Sequence, residues 1–224
     1  VAYYPYNADV RNFNYPVQLA AQERGSTACD LLYAATKEEY TYSPENEPHI
    51  SLNFTHRLAK VILKFVNMEK EPLEVSDVRI EGMQTAASFN IQTDVLTVDE
   101  SSVATINPYH NATTGFYEAI ILPSALTDSY KVSFVLDDRE KEWIFTNLDI
   151  ALPQFHKGYS YTFALYIDDS GFVEMGRLEN VEGGNSSAPW EDGSSEDGTA
   201  EGDKTPVSGY ALSLIHISEP TRPY

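Results

Sequence analysis

Asn53-Phe54-Thr55-His56-Arg57-Leu58-Ala59-Lys60-Val61-Ile62-Leu63-Lys64-Phe65-Val66-Asn67 is the longest mostly apolar run of the chain, and its reading decides the fold. Ile50, Leu52, Phe54, His56 and Leu58 alternate with polar or small neighbours, which is the period of a strand. From Ala59 the parity changes: Ala59, Val61, Leu63 and Phe65 share a face, with Lys60 and Lys64 opposite. A helix would instead gather Leu58, Ile62 and Phe65, but the β-branched pair Val61-Ile62 and the alternation on either side favour extended backbone. A parity change inside a strand marks a bulge or a twist between two half-strands. The expectation is a long, bent strand near the centre of a sheet.

The segments after it repeat the pattern. Phe89-Asn90-Ile91 and Val95–Val98 flank Gln92-Thr93-Asp94 as a hairpin would. Tyr130, Val132, Phe134 and Leu136 alternate, then Asp137-Asp138-Arg139-Glu140 leads into Trp143–Phe145. Tyr159, Tyr161, Phe163, Leu165 and Ile167 alternate again, and Asp168–Gly171 turns the chain into Phe172–Met175. Leu73–Ile80, a short strand within Ser101–Asn107, and Phe116–Leu122 add further strands, with Asn107–Gly115 as a loop. Before the central run, Val1–Tyr6 and Asp30–Ala35 read as strands, Arg11–Ala21 as irregular, and Gln18–Arg24 as room for one helical turn. Regularly spaced strands with turn residues between them indicate an all-β sandwich.

The chain of 224 residues has room for one large β domain or two ordinary ones. Ser43-Pro44-Glu45-Asn46-Glu47-Pro48 is turn-forming and polar, a boundary by composition. Glu182–Asp203 is acidic, rich in Gly and Ser and free of basic residues, and reads as a solvated tail. Leu212–Arg222 matches, over 11 consecutive residues, the translation of a transposase sequencing adaptor, so Leu212–Tyr224 is expected to be foreign to the fold.

With 15 basic and 34 acidic residues the net charge is −19, which argues against nucleic-acid binding because phosphate neutralisation needs clustered Lys and Arg. Such acidity suits a soluble, extracytoplasmic or surface protein. Cys29 is the only cysteine, so an internal disulfide or a cysteine zinc site is impossible, and nothing around it marks a nucleophile.

The search for chemistry finds no nucleophile-elbow, phosphate-binding, zinc-protease or EF-hand pattern, so no catalytic, metal or cofactor residue is assigned. Asp168-Asp169-Ser170-Gly171 lacks the downstream Glu of a calcium loop and reads as a turn. His49, His56, His110 and His156 have no paired spacing, and His56 reads as a hydrogen-bonded core residue. Asn53, Asn111 and Asn185 begin glycosylation sequons, a pattern common by chance. Tyr3, Tyr4, Tyr6, Tyr40 and Tyr42 could stack on sugar rings, but in an all-β protein cross-strand packing is the commoner use.

A family emerges from particular residues. Asp30-Leu31-Leu32-Tyr33-Ala34 followed by Leu52–Val61 resembles the fimbrillin family (Mfa-like proteins, or type V pilins), whose members show a D-L-L-x-A strand and then L-x-F-x-H-x-L-A-K-V. Ala2-Tyr3-Tyr4-Pro5-Tyr6 is similar to its A-Y-Y-P-Y element, and Gly158–Phe163 to its late G-x-x-Y-x-F strand. Ala188-Pro189-Trp190 is similar to its closing I-x-P-W segment, with Ala188 and an acidic insertion departing from that pattern. The motif residues carried over, all in structural roles, are Asp30, Phe54, His56, Leu58, Lys60 and Trp190.

The resemblance implies tandem transthyretin-like β-sandwich domains and no enzyme activity. It further implies a lipid-anchored route to the outer membrane and removal of an N-terminal strand by surface proteolysis. The vacated groove is then filled by a strand from another subunit to build a fimbrium. On that reading residues 1–44 are the end of a truncated N-terminal β domain, 45–180 a nearly complete C-terminal sandwich, 181–211 the acidic tail and 212–224 the adaptor. The expected function is a structural or accessory subunit of surface fimbriae contributing to adhesion. Its partners would be other fimbrial subunits and ligands on host or bacterial surfaces. The alternative is a surface carbohydrate-binding lipoprotein; a hydrolase ranks third, with no acid–base pair to name.

Overall fold

The computed structural model describes residues 1–22, 25, 28–36, 50–68, 73–125, 130–136, 139–144, 154–168 and 173–183, with 139, 143, 144 and 173–183 given by their backbone alone. Among the described residues fourteen strands run in chain order: β1 (Ala2–Tyr4), β2 (Asn14–Gln18), β3 (Leu32–Ala34), β4 (Thr55–His56), β5 (Ala59–Asn67), β6 (Val75–Glu81), β7 (Ala86–Asn90), β8 (Val95–Val98), β9 (Tyr109–Asn111), β10 (Phe116–Ile121), β11 (Lys131–Leu136), β12 (Arg139–Ile144), β13 (Tyr159–Ile167) and β14 (Val173–Gly183). They form a five-stranded sheet, β14-β13-β5-β10-β9, and three sheets of three strands, β12-β11-β6, β1-β3-β4 and β2-β7-β8. The protein is all-β and sandwich-like, as the alternation indicates. Among the described residues no helix is long and apolar enough to cross a membrane.

The central run is two strands in two sheets. Thr55 and His56 pair with Tyr33 and Leu32 of β3, whereas β5 lies third of five between β13 and β10. The parity change at Leu58–Ala59 is where the chain passes from one core to another: Leu58 packs in a smaller apolar cluster and Ala59 in a larger one. The Arg57 N–H donates to the Leu31 carbonyl at 2.9 Å, and the Leu58 carbonyl accepts from Gly158 N–H at 2.7 Å, so the crossing is pinned by hydrogen bonds on either side. Ile50 and Leu52, expected to extend the strand, lie outside it and are exposed.

β5 and β13 pair in parallel, Ser160 opposite Lys60 through Ile167 opposite Asn67. Parallel partners are normally covered on both faces, and here Ala59 to Leu63 are buried without a break. The inward face of the five-stranded sheet carries Val61, Leu63, Ala119, Ile121, Phe163 and Leu165, which meet Val78 and Ile80 of β6 and Val132, Phe134 and Leu136 of β11. This larger core contains Phe65 edge-on to Phe134 at 4.8 Å and Phe155 edge-on to Tyr161 at 5.0 Å. Each such side chain contributes about 1.5–3 kcal/mol by burial.

The smaller core gathers Tyr15, Val17, Leu19, Leu31, Tyr33, Leu58, Ala87, Phe89 and Ile91, with Ile120 of β10 and Leu122 just after it. Its strands come from well-separated parts of the chain, because β2 pairs with β7 in register Asn14–Asn90 to Gln18–Ala86. The division expected at residues 44/45 therefore does not separate the sheets: residues before and after it share one. Ser43–Pro48 itself lies outside the described residues.

Other expectations are adjusted locally. Gln18 ends a strand and does not open a helical turn. Pro16 is accommodated in β2, on the edge of its sheet, where a missing N–H costs no ladder bond. Residues 101–107 make isolated bridges, Val103 with Gln84 and Ile106 with Ile80, and no continuous strand. Tyr109–Asn111, expected in a loop, is β9, paired with Phe116–Glu118. β14 runs to Gly183, past the expected start of the acidic tail at 181. The β7–β8 and β11–β12 hairpins form as expected.

Candidate functional site

Polar groups buried along the seam of the smaller core set its geometry. His56, on β4, reaches Asp30 just before β3, with Nδ1 at 2.8 Å and 2.9 Å from the two carboxylate oxygens and both side chains buried. Leu32 and His56 are direct partners in the ladder, so the D-L-L-x-A strand and the H-x-L strand present these groups to one another. The next residue, Arg57, forms a fork on Asp94 (Nε–Oδ1 2.6 Å, Nη2–Oδ2 3.0 Å) and lays its guanidinium over the Tyr33 ring at 4.8 Å. Asp94 occupies the turn of the β7–β8 hairpin with a φ of 58°, a left-handed conformation Asp tolerates. Tyr33 in turn meets Phe89 edge-on at 5.3 Å.

Lys60 points to the face of the five-stranded sheet turned away from the larger core. Its Nζ lies 2.9 Å from Glu118, both side chains buried, and the Asn111 amide donates to the other oxygen of Glu118 at 2.8 Å. Three adjacent strands, β5, β10 and β9, thus contribute one residue each. Gln22, 1 % exposed, acts as a strand of one side chain: its Nε2 donates to the Ile120 carbonyl at 2.7 Å and its Oε1 accepts the Ile120 N–H at 2.7 Å. β9 pairs only as far as Glu118, so these are the groups of β10 left without a strand beside them.

Of the residues singled out from sequence, Asp30, His56 and Lys60 fall into these buried pairs, Leu58 is buried in the smaller core, and Phe54 is half-buried. Trp190 lies outside the described residues, as do His49, Tyr40, Tyr42, Asn185 and the segment 184–224. Gln22, Arg57, Asp94 and Glu118 were missed. Glu118 carried a readable signal, a lone acid between Tyr117 and Ala119-Ile120-Ile121; Gln22 carried none.

Among the described residues no cluster of three or more His, Cys, Asp and Glu could hold a metal. Cys29 is half-buried, and burial pushes its thiol pKa up, away from the reactive thiolate. Of the tyrosines considered for sugar stacking that are described, Tyr3 packs edge-on to Tyr15 at 5.7 Å and flanks the smaller core, while Tyr6 is exposed. Burial raises the Tyr15 hydroxyl pKa to about 12.

Comparison with solved structures returns the same architecture. A candidate cell adhesion protein from Bacteroides uniformis is similar with a TM-score of 0.67 at 23 % identity, over 81 % of this chain and 70 % of that one. A candidate cell adhesion protein from Bacteroides ovatus is similar with a TM-score of 0.63 at 17 % identity, over 81 % of this chain and 66 % of its own. Likeness at these identities speaks to fold. No curated protein matches the sequence. The sequence model of the fimbrillin-like family matches residues 1–190, which takes in the Asp30–His56 pair, Lys60 and every described strand. A match of that length settles the family: this chain belongs to the fimbrillin-like family, whose members are structural, non-enzymatic proteins.

Proposed function

We propose that the chain is part of a structural or accessory subunit of bacterial surface fimbriae that assembles by β-strand addition and contributes to adhesion. The observation that carries this reading is the thin cover over the smaller core. The β1-β3-β4 sheet is built from strands of three, three and two residues, and among the described residues β1 and β4 are its outermost strands. Edge strands expose unpaired N–H and C=O groups, and short ones leave apolar surface that an added strand covers. Family membership and likeness to candidate cell adhesion proteins favour the same reading.

Within it, Asp30–His56 and Lys60–Glu118 keep the incomplete sheets in register while a neighbour is awaited. The partners are further copies or other fimbrial subunits, and the station is the outer membrane or the fimbrium, reached through a lipid anchor. The test is electron microscopy of the intact gene product before and after limited proteolysis. Filaments appearing only after cleavage support the reading; a monomer that stays monomeric after cleavage refutes it.

A further inference from the structure

The chain enters β4 through Ile50-Ser51-Leu52-Asn53-Phe54, which has the period of a strand without forming one. Its apolar residues alternate with Ser51 and Asn53, yet among the described residues none of the five makes a hydrogen bond. The ladder with β3 takes in only Thr55 and His56. Ile50 is 45 % exposed and Leu52 37 %, while Phe54 is half-buried. Strand-forming sequence therefore runs well beyond the two residues that pair, and its free backbone groups adjoin the outermost strand of the β1-β3-β4 sheet.

Open edges are ordinarily guarded by charge, proline or a bulge. Other edges of this molecule are: β2 carries Pro16, β12 carries Glu140 and Glu142, β6 carries Arg79 and Glu81, and β8 runs between Asp94 and Asp99. Residues 50–56 contain no Asp, Glu, Lys, Arg, Pro or Gly. The run is also complementary to itself. Antiparallel pairing of two copies about a two-fold axis at Asn53 sets Ile50 opposite His56, Ser51 opposite Thr55, Leu52 opposite Phe54 and Asn53 opposite its own copy. Residues directly opposite share a face, so the apolar side chains of both copies gather on one face and the Ser, Asn and Thr side chains on the other. A slip of one residue would mix the two faces.

We propose that residues 50–56 pair antiparallel with the same residues of a second copy, joining the β1-β3-β4 sheets of the two into one continuous sheet. Such a contact is isologous and closes at two copies, so it is distinct from strand donation along a fimbrium and does not rest on it. The paired edge is about 24 Å long and about 10 Å thick, roughly 240 Å², against roughly 800 Å² per partner in a stable interface. The dimer is therefore weak, and forms where copies are held close together. Each copy brings a net charge of −19, and the edge itself offers no ion pair. Salt thus strengthens the association by screening the repulsion between copies.

The test is sedimentation of the full chain over a concentration series at low and high salt. A monomer–dimer equilibrium that tightens with salt is expected. Leu52→Glu, at an exposed position, should weaken it about tenfold or more with the melting temperature unchanged. Asn53→Cys in a Cys29→Ser background reports the register: at the axis each new thiol meets its own copy, so mild oxidation by diamide should link the dimer. Val103→Cys, 55 % exposed elsewhere on the surface, should not link. A monomer at every concentration and salt, a dimer undiminished by Leu52→Glu, or Asn53→Cys linking no faster than Val103→Cys overturns the proposal. Filaments from protein that never forms this dimer refute the present inference alone. Linked dimers without filaments after proteolysis uphold it and refute the polymerisation reading.

Discussion

In the larger core Val61, Leu63 and Phe163 of one sheet meet Ile80, Val132 and Phe134 of another, and its polar contacts are few, the Tyr130 hydroxyl on Ser124 and the His156 N–H on the Tyr161 hydroxyl among them. In the smaller core Tyr15, Leu31, Tyr33 and Phe89 are hemmed by polar contacts: Asp30 with His56, Arg57 with Asp94, and Gln22 with Ile120. The first is secured by area, which is non-directional; the second by groups whose value depends on geometry. A core roofed by strands of two or three residues has little ladder to fix its register, and buried polar pairs supply that specificity.

Perturbing each core in turn tests this difference. The largest effect belongs to Phe163→Ala, which empties a fully buried site of the larger core. Loss of about 3–5 kcal/mol is expected in urea unfolding. Next is Lys60→Ala, which removes the buried cation 2.9 Å from the Glu118 carboxylate. A loss of about 3 kcal/mol is expected, whereas Lys60→Met combined with Glu118→Leu should be nearly neutral. A double variant as damaged as the single one would show that the pair does more than compensate charge.

Gln22→Ala comes third. It strips partners from the N–H and carbonyl of Ile120, for an expected loss of about 1–3 kcal/mol, with faster amide exchange at Ile120 than at its neighbours. The smallest effect is titration of Tyr15. Burial holds its folded-state pKa at about 12, above the value of about 10 for an unfolded chain. The unfolded chain therefore releases its proton first, so stability is intact below pH ~10 and falls as pH rises toward ~12. Tyr15→Phe should flatten the alkaline limb of the melting curve over that window.

The same contrast explains what could be read before the structure was known. The strands of the larger core were legible because their faces alternate: Tyr130–Leu136 and Tyr159–Ile167 occur where the period of two put them. The parity change at Leu58–Ala59 was visible, but a local period cannot say that its two halves serve different sheets. β2 stayed hidden because Pro16 interrupts its pattern and its partner β7 lies about 70 residues away in sequence. β9 has the local sequence of a loop because Tyr109-His110-Asn111 lacks apolar alternation, and its pairing is supplied by β10.

The site residues divide in the same way. Asp30, His56 and Lys60 were found through a family motif, and their partners follow from register. Gln22 and Asp94 have ordinary local sequences, and their roles arise from long-range closure alone.

That a neighbour completes this subunit's sheets is tested most directly by amide hydrogen exchange on the intact gene product, compared before and after assembly. The account predicts that one continuous edge strand gains protection on assembly while β5, β10 and β13, already paired on both sides, keep theirs. Assembled protein in which no edge strand gains protection would contradict it.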